Sequence, residues 1–145
     1  IATDPTVKYL SGKVTIYSTS PEMSRKAMVY YLDMSFGDRE GLITSKNPET
    51  CTPEQAAFFK ELFTGADYKE NYAILNNYVK SLGDSIPPFI HLYIGLSPTM
   101  KTFGTTFDPD FGDCYDTAMI ITTDDIYPDK YKRYVESYEK CKVRK

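Results

Sequence analysis

The sequence predicts an α+β protein in which an antiparallel sheet of four to six strands is covered by a helical hairpin and a C-terminal helix. Three observations lead to this fold class. Residues 52–83 space their apolar side chains as two helices do, residues 89–96 form the most apolar short run, and a last amphipathic segment begins near Pro128. Because the 145 residues contain no linker, repeat or low-complexity segment, one domain over residues 1–145 is expected.

The helical hairpin has start and stop signals at both of its helices. Thr52 is a predicted N-cap that is followed by a proline and, at the third helical position, by Gln55, which completes a capping box. Gly65 and Gly83 follow the two apolar stripes and suit left-handed helix ends. Neither apolar face can be buried within the hairpin alone, so a partner layer is required.

The predicted sheet consists of short segments with strand-like patterns. Residues 26–36 fit a helix or a strand, and five successive alternations followed by a GDREG turn favour a strand paired with residues 42–45. Residues 89–96 are largely apolar on both faces, which predicts a central strand covered on both sides. Further strands are predicted at residues 13–19, 102–107 and 115–122.

Composition excludes several classes of function. The net charge is −3 and the pI is about 5.2, whereas a nucleic-acid-binding protein usually has an excess of basic residues. No apolar run approaches the roughly 20 residues that cross a bilayer. The glycine-rich phosphate-binding motifs are absent, and the acidic residues 108–116 lack the glycine and glutamate positions of a calcium loop. No nucleic acid, membrane, metal or cofactor is therefore expected to bind.

The three cysteines favour an oxidising compartment. Cys51, Cys114 and Cys141 are too few for a disulfide-dense scaffold, so one disulfide and one thiol are expected, with three reduced thiols as the alternative. The predicted strand after Cys114, of about eight residues, would extend about 26 Å, and about twelve residues of the predicted C-terminal helix would run back about 18 Å. If this helix folds back over the strand, Cys141 comes close to Cys114, so a Cys114–Cys141 disulfide is favoured and Cys51–Cys141 is the next choice. A start without methionine fits a removed signal peptide or a trimmed sequence, and secretion is predicted.

His91 is the only histidine, so imidazole chemistry of the Ser-His-Asp or Cys-His type would have to use it. The sequence contains no GxSxG motif, and no cysteine lies in a protease-type sequence pattern. These observations favour a non-enzymatic function. On the predicted central strand, Phe89, His91 and Tyr93 share one face, and Tyr30 and Tyr72 could complete an aromatic wall around a ligand. Ordinary packing of helices on a sheet is the alternative explanation for the same residues.

One part of the chain resembles a known family. Residues 107–141 run from an acidic turn through Cys114 at a strand start and a Thr-Asp-Asp turn to an amphipathic helix with the last cysteine. This order resembles the C-terminal quarter of arthropod salivary lipocalins, and VYYLDMSF at residues 29–36 is similar to one of their strands. The resemblance implies an eight-stranded barrel and an amine or lipid ligand. The family's G-x-W signature is absent and the helical hairpin replaces barrel strands, so the lipocalin-like barrel with a C-terminal helix is the alternative fold.

The residues together predict a secreted, non-enzymatic binding protein for a small apolar or amphipathic ligand, with the aromatic wall as its site. The alternative is a protein–protein interaction module, an effector or inhibitor, that uses a tyrosine-rich surface. It rests on the 13 tyrosines, a residue type that is enriched at protein interfaces. An enzyme is the third hypothesis and has no motif behind it.

Overall fold

The computed structural model describes residue 4 and residues 6–138, and within them a three-stranded antiparallel sheet is combined with five helices. The strands and helices in chain order are β1 (Tyr9–Ile16), α1 (Glu22–Phe36), α2 (Pro53–Leu62), α3 (Tyr68–Ser81), α4 (Pro88–Ile94), β2 (Lys101–Asp108), β3 (Cys114–Thr122) and α5 (Pro128–Tyr131). Helix α5 continues into a wider π-helical turn, Lys132–Glu136. None of these helices combines the length and apolarity needed to cross a bilayer.

Strand β3 is the centre of the sheet, with β1 on one side and β2 on the other. The β1 register runs without interruption from Tyr9 opposite Thr122 to Ile16 opposite Tyr115. Strand β2 has a bulge at Gly104, whose φ of +81° is a conformation that favours glycine. The backbone of residues 37–50 covers the outer edge of β2 with hydrogen bonds on both sides of this bulge.

Helix α1 lies at the centre of the protein and is buried on several sides. The buried side chains of α1 include Ala27, Met28, Val29, Tyr31, Leu32 and Phe36. The remaining elements contribute to the same core through Val14, Ile16, Phe59, Phe63, Leu75, Val79, Ile90, Ile94, Met100, Met119 and Ile121. The hydroxyl of the fully buried Tyr31 donates to the backbone oxygen of Tyr68 at 2.8 Å, which satisfies its only strong polar group.

The predicted helices within residues 52–83 are confirmed as α2 and α3. The hydroxyl of Thr52 accepts from the Gln55 amide at 3.2 Å, and the Gln55 side chain accepts from the Thr52 amide at 3.0 Å, so the capping box is present. Gly83 has the expected positive φ, but Gly65 does not. Gly65 is instead packed against Asn71, where an added Cβ would lie 2.9 Å from the Asn71 backbone nitrogen.

The predicted fold class is wrong, and so is its barrel alternative, because the described sheet has three strands rather than four to six. Residues 26–36 belong to helix α1, and residues 42–45 form no strand. The alternation misled because α1 is buried around most of its circumference, so its buried residues show no simple helical stripe. The strands predicted within residues 13–19, 102–107 and 115–122 are confirmed in position as β1, β2 and β3, although β1 begins earlier.

The segment predicted as the central strand, residues 89–96, forms helix α4 and the turn after it. Pro88 occupies the first helical position, where its missing N–H has no partner to lose. Ile90 and Ile94 are buried four residues apart, whereas Phe89 and Leu92 are exposed. The short apolar run was compatible with both structures, and tertiary packing selected the helix.

Candidate functional site

Three adjoining cavities follow helix α4 and the chain segment after β3. The first, of about 350 Å³, shares His91, Gly95 and Lys130 with the second, of about 220 Å³. The second shares Leu92 and Leu96 with the third, of about 240 Å³. Because neighbouring cavities have walls in common, they form one groove, the α4 groove. Concave surfaces of this kind are the usual places for small-molecule sites.

The first cavity is the polar end of the groove. Tyr68, Lys69, Tyr72, His91, Tyr127, Asp129 and Lys130 lie in its wall. The hydroxyl oxygens of Tyr68 and Tyr127 are 2.5 Å apart and share a hydrogen bond. Burial, and secondly this hydrogen bond, raises the pKa of Tyr68 to about 12. Tyr68 therefore stays neutral near physiological pH and keeps its hydroxyl hydrogen.

Local structure at the start of α3 sets the positions of Tyr68 and Lys69. The Asp67 carboxylate is the N-cap and accepts from the amides of Lys69 at 2.8 Å and Glu70 at 2.9 Å. The hydroxyl of Tyr31, from the centre of the core, holds the backbone oxygen of Tyr68. The ammonium nitrogen of Lys69 lies 5.8 Å from the ring centroid of Tyr68 and 5.7 Å from that of Tyr127.

His91 stands where the polar end meets the rest of the groove. Ile90 and Ile94 anchor α4 in the core, and this orientation leaves the imidazole of His91 exposed in the groove. The His91 ring centroid lies 5.5 Å from that of Tyr72 on α3. The Tyr127 amide donates to the Leu96 backbone oxygen at 2.9 Å, which ties the opposite wall to the end of α4.

The third cavity is the apolar end of the groove. Its wall consists almost entirely of aliphatic and aromatic side chains: Leu10, Leu92, Leu96, Ile126, Tyr131, Tyr134 and Val135, with Lys130 at its edge. Val135 is buried, whereas Leu92 and Tyr134 are 42% and 48% exposed. The groove as a whole matches a molecule, or a pair of molecules, with one polar and one apolar part.

The structure brings together two of the five residues predicted to bind a ligand, His91 and Tyr72. Phe89 and Tyr93 lie on the same helix and contact each other at a centroid distance of 6.4 Å, outside the groove wall. Tyr30 stacks on Phe63 at 5.9 Å, on the far side of the hairpin. The single aromatic wall is absent because successive alternate residues diverge on a helix, whereas they align on a strand. A binding role for these five residues stays a prediction.

Sequence reasoning missed most of the groove, including four residues of its polar end: Tyr68, Lys69, Tyr127 and Lys130. The first pair and the second pair are about sixty positions apart in the chain and belong to no motif. No spacing in the sequence could have identified them, because their proximity arises only when α3 packs beside the segment that precedes α5.

A further cavity of about 380 Å³ lies between α1 and β2, and several polar groups in or beside its wall are paired with each other. The ammonium of the buried Lys26 lies 2.7 Å from the Glu49 carboxylate. The hydroxyls of Thr105 and Thr117 are bonded to each other at 2.6 Å. Burial raises the pKa of the Cys51 thiol in its wall, which disfavours the reactive thiolate. This cavity therefore offers less chemistry than the α4 groove.

The predicted disulfide is contradicted within the described residues, since Cys51 and Cys114 are both free thiols. Cys141, the expected partner, lies outside the described residues. Burial also raises the pKa of Cys114, so neither thiol resembles an activated nucleophile. Residues 6–138 contain no group of three or more His, Cys, Asp and Glu side chains arranged to hold a metal ion.

The chain is similar to two curated bacterial enzymes. It is 39% identical over 136 residues to the glycine N(alpha)-acyltransferase of Phocaeicola vulgatus, covering 94% of this chain and 41% of that protein. It is also 39% identical over 137 residues to the glycine N(alpha)-acyltransferase of Bacteroides thetaiotaomicron, covering 92% of this chain and 40% of that protein. The chain thus spans about two fifths of the length of these relatives. No model of a protein family and no solved structure matches.

These similarities overturn several predictions. The relatives are named as acyltransferases, so the lipocalin resemblance, the non-enzymatic functions and the inference against an enzyme are wrong. The predicted small apolar ligand is likewise contradicted by the names of these relatives. No pattern in the sequence pointed to an enzyme, because it contains no GxSxG motif and no protease-type pattern around a cysteine. Secretion stays a prediction.

Proposed function

We propose that this protein acts in the transfer of an acyl group to the amino group of glycine, and that its two substrates meet in the α4 groove. The similarity to two glycine N(alpha)-acyltransferases supports the reaction class. One observation carries the assignment to the groove. The chain's only histidine, His91, stands at the junction between a polar end that contains lysines and an apolar end.

The reaction joins the glycine nitrogen to the carbonyl carbon of an activated acyl donor, for which an acyl thioester is the simplest class. The neutral amine attacks the carbonyl carbon, the N–C bond forms, and the C–S bond breaks. The amine loses one proton in this process, and the departing thiolate takes one up. The protein therefore has to supply a proton acceptor, a hydrogen-bond donor for the carbonyl oxygen, and a binding surface for each substrate.

His91 has the chemistry of the proton acceptor. Imidazole is the side chain that ordinarily exchanges protons near neutral pH. The ring is exposed in the groove, so an amine bound at the polar end can approach it. The contact with Tyr72 at 5.5 Å limits the orientations of the ring. His91 would take the proton from the amine and return it to the departing thiolate.

The paired hydroxyls of Tyr68 and Tyr127 suit the carbonyl oxygen. Two hydroxyl groups carry two hydrogens, and their mutual hydrogen bond uses one of them. The other hydrogen remains available to a substrate in the first cavity. A donor held in place in this way can stabilise the negative charge that develops on the carbonyl oxygen during acyl transfer.

The apolar end suits the acyl chain. Leu92, Leu96 and Ile126 present aliphatic surface along this part of the groove. Each methylene group that is removed from water contributes about 0.8 kcal/mol to binding. An acyl chain bound there would extend from the His91 junction toward Val135, with its reactive carbonyl at the junction.

The proposal is tested with His91→Asn in the full-length protein. We expect kcat for N-acylglycine formation, measured by mass spectrometry with an acyl thioester donor, to fall about 10²- to 10⁴-fold, because the proton acceptor is lost. The KM for glycine should change little. Tyr93→Phe is the matched control, since it also removes a polar atom from α4 but lies outside the groove wall, and it should keep the wild-type rate.

Two results would contradict the proposal. The first is a wild-type protein that forms no N-acylglycine. The second is a folded His91→Asn protein, verified by its thermal unfolding, that retains the wild-type kcat. The second result would place the proton transfer elsewhere in the full-length protein.

A further inference from the structure

We infer that Lys69 binds the carboxylate of the acceptor and so makes the α4 groove selective for an amino acid with a free carboxylate over a simple amine. This inference rests on the proposed function. It concerns the choice of acceptor, whereas the role of His91 concerns proton transfer.

Lys69 is a positively charged group that lies beside two tyrosine rings and has no anionic partner among the described residues. Its ammonium nitrogen lies 5.8 Å and 5.7 Å from the ring centroids of Tyr68 and Tyr127. These two rings are joined through their hydroxyls, so they form one fixed platform under the ammonium. Within the described chain no carboxylate lies within 4.0 Å of the Lys69 ammonium. The charge is therefore available to a ligand in the first cavity.

The second lysine of the first cavity and the amides at the start of α3 are already engaged. The Lys130 ammonium lies 3.5 Å from the Asp129 carboxylate, which offsets part of its charge. The amides at the start of α3 donate to the Asp67 side chain and cannot receive a second anion. Lys69 is left as the cation of the first cavity that still lacks a carboxylate.

Arg133 is the competing cation, but it lies in a different part of the groove. It lines the second cavity and not the first, and its guanidinium carbon lies 5.4 Å from the ring centroid of Tyr134. Tyr134 belongs to the wall of the apolar end. Arg133 therefore contacts a residue of the apolar end, where the acyl chain is proposed to lie, and does not line the cavity of the tyrosine platform.

His91 and Lys69 both line the first cavity. In the proposed complex, the amino group of glycine lies toward the His91 imidazole, and its carboxylate, one carbon further on, lies toward the Lys69 ammonium. Hydrogen bonds between an ammonium and a carboxylate are stronger than bonds between neutral groups. An amine without a carboxylate would make the first contact and lose the second.

The test compares glycine with glycinamide as acceptors in the full-length protein, with the same acyl thioester donor. Glycinamide keeps the amine and replaces the carboxylate with a neutral amide. We expect wild-type kcat/KM to be about 10-fold higher for glycine, in keeping with one hydrogen bond to a charged group. Lys69→Met keeps the apolar stem without the charge. In the Lys69→Met protein, kcat/KM for glycine should fall to about the value for glycinamide, because the KM for glycine rises while kcat stays almost unchanged.

Two further variants separate this role from a general effect of charge. Lys80→Met removes a lysine from the exposed far end of α3 and should keep the wild-type preference for glycine. Arg133→Met should also keep it. A Lys69→Met protein that retains the preference, or an Arg133→Met protein that loses it, would overturn the inference while N-acylglycine formation still supports the proposed function. A wild-type protein without N-acylglycine formation would overturn both.

Discussion

At the scale of single residues, the hydroxyl groups of three tyrosines link the core to the groove. Tyr31 donates from the core to the backbone of Tyr68, whose own hydroxyl is bonded to Tyr127 in the groove wall. Burial raises the pKa of Tyr31, and burial with the Tyr127 hydrogen bond raises that of Tyr68. Each of these two contacts requires a hydroxyl hydrogen, which the donor loses when it ionises. Ionisation of these tyrosines would therefore break hydrogen bonds at the polar end of the groove and lower the stability of the protein.

This arrangement predicts a specific loss of stability at high pH. The pKa of Tyr68 is raised from 10.0 to about 12 in the folded protein. Its contribution to the free energy of unfolding is therefore fully present below pH 10 and is lost as the pH rises toward 12. In Tyr68→Phe we expect this free energy to fall less between these two pH values than in the wild type. Urea unfolding followed by circular dichroism measures the difference, and equal pH dependence in the two proteins would refute the expectation.

At the scale of secondary-structure elements, local signals set the ends of helices more reliably than they set element type. Thr52 and Gln55 exchange both hydrogen bonds of a capping box at the start of α2. Pro88 likewise marks the first turn of α4. For residues 89–96, however, the apolar run itself was equally compatible with a strand. The signal that would have distinguished the two was the proline, because a proline at the start of an apolar run fits a helix N-terminus.

The capping box gives a prediction at this scale. Thr52→Ala removes the hydroxyl that accepts from the Gln55 amide, and we expect the free energy of unfolding to fall by about 1 kcal/mol. Thr19→Ala is the control, since Thr19 lies exposed in a turn between β1 and α1, and it should change this free energy by less than about 0.5 kcal/mol. Urea denaturation at neutral pH measures both. Equal losses in the two variants would show that the cap contributes nothing specific.

At the scale of the whole molecule, one core connects the helices to the inner face of the sheet. Leu75 and Val79 of α3 are fully buried in the same cluster as Val14 and Ile16 of β1. This packing holds α3 and α4 side by side and thus places Lys69 and Tyr72 opposite His91. The geometry of the groove therefore depends on the core behind it.

A core substitution should therefore reduce the stability of the entire protein. Leu75→Ala leaves a cavity, and we expect it to lower the free energy of unfolding by about 2–5 kcal/mol. Leu82→Ala, at a position that is 37% exposed at the end of α3, is the matched control and should lower it by less than about 1 kcal/mol. Urea denaturation with a common slope in both variants checks the comparison. A small effect of Leu75→Ala would mean that α3 does not share the central core.

The sequence predicted part of the fold and only a small part of the candidate site. The helices of the hairpin and the three strands were located correctly, because caps, turns and alternation are local features. Helix α1 was assigned as a strand, because its burial on several sides removed the helical stripe. Of the residues that line the polar end of the groove, His91 and Tyr72 were among the predicted ligand-binding residues, and Lys69 and Tyr127 were not. The reaction class named for the relatives was missed because the sequence contains no nucleophile motif.

By itself, the sequence determined those features that depend on neighbours in the chain: the capping box at Thr52, the strand alternation of β1, and a single histidine as the one source of imidazole chemistry. The tertiary structure alone decided which of these features meet. The α4 groove combines residues from β1, α3, α4 and the segment after β3, which are far apart in the chain. Their proximity follows from how the helices share one core, and pairwise packing of this kind leaves no periodic trace in the sequence.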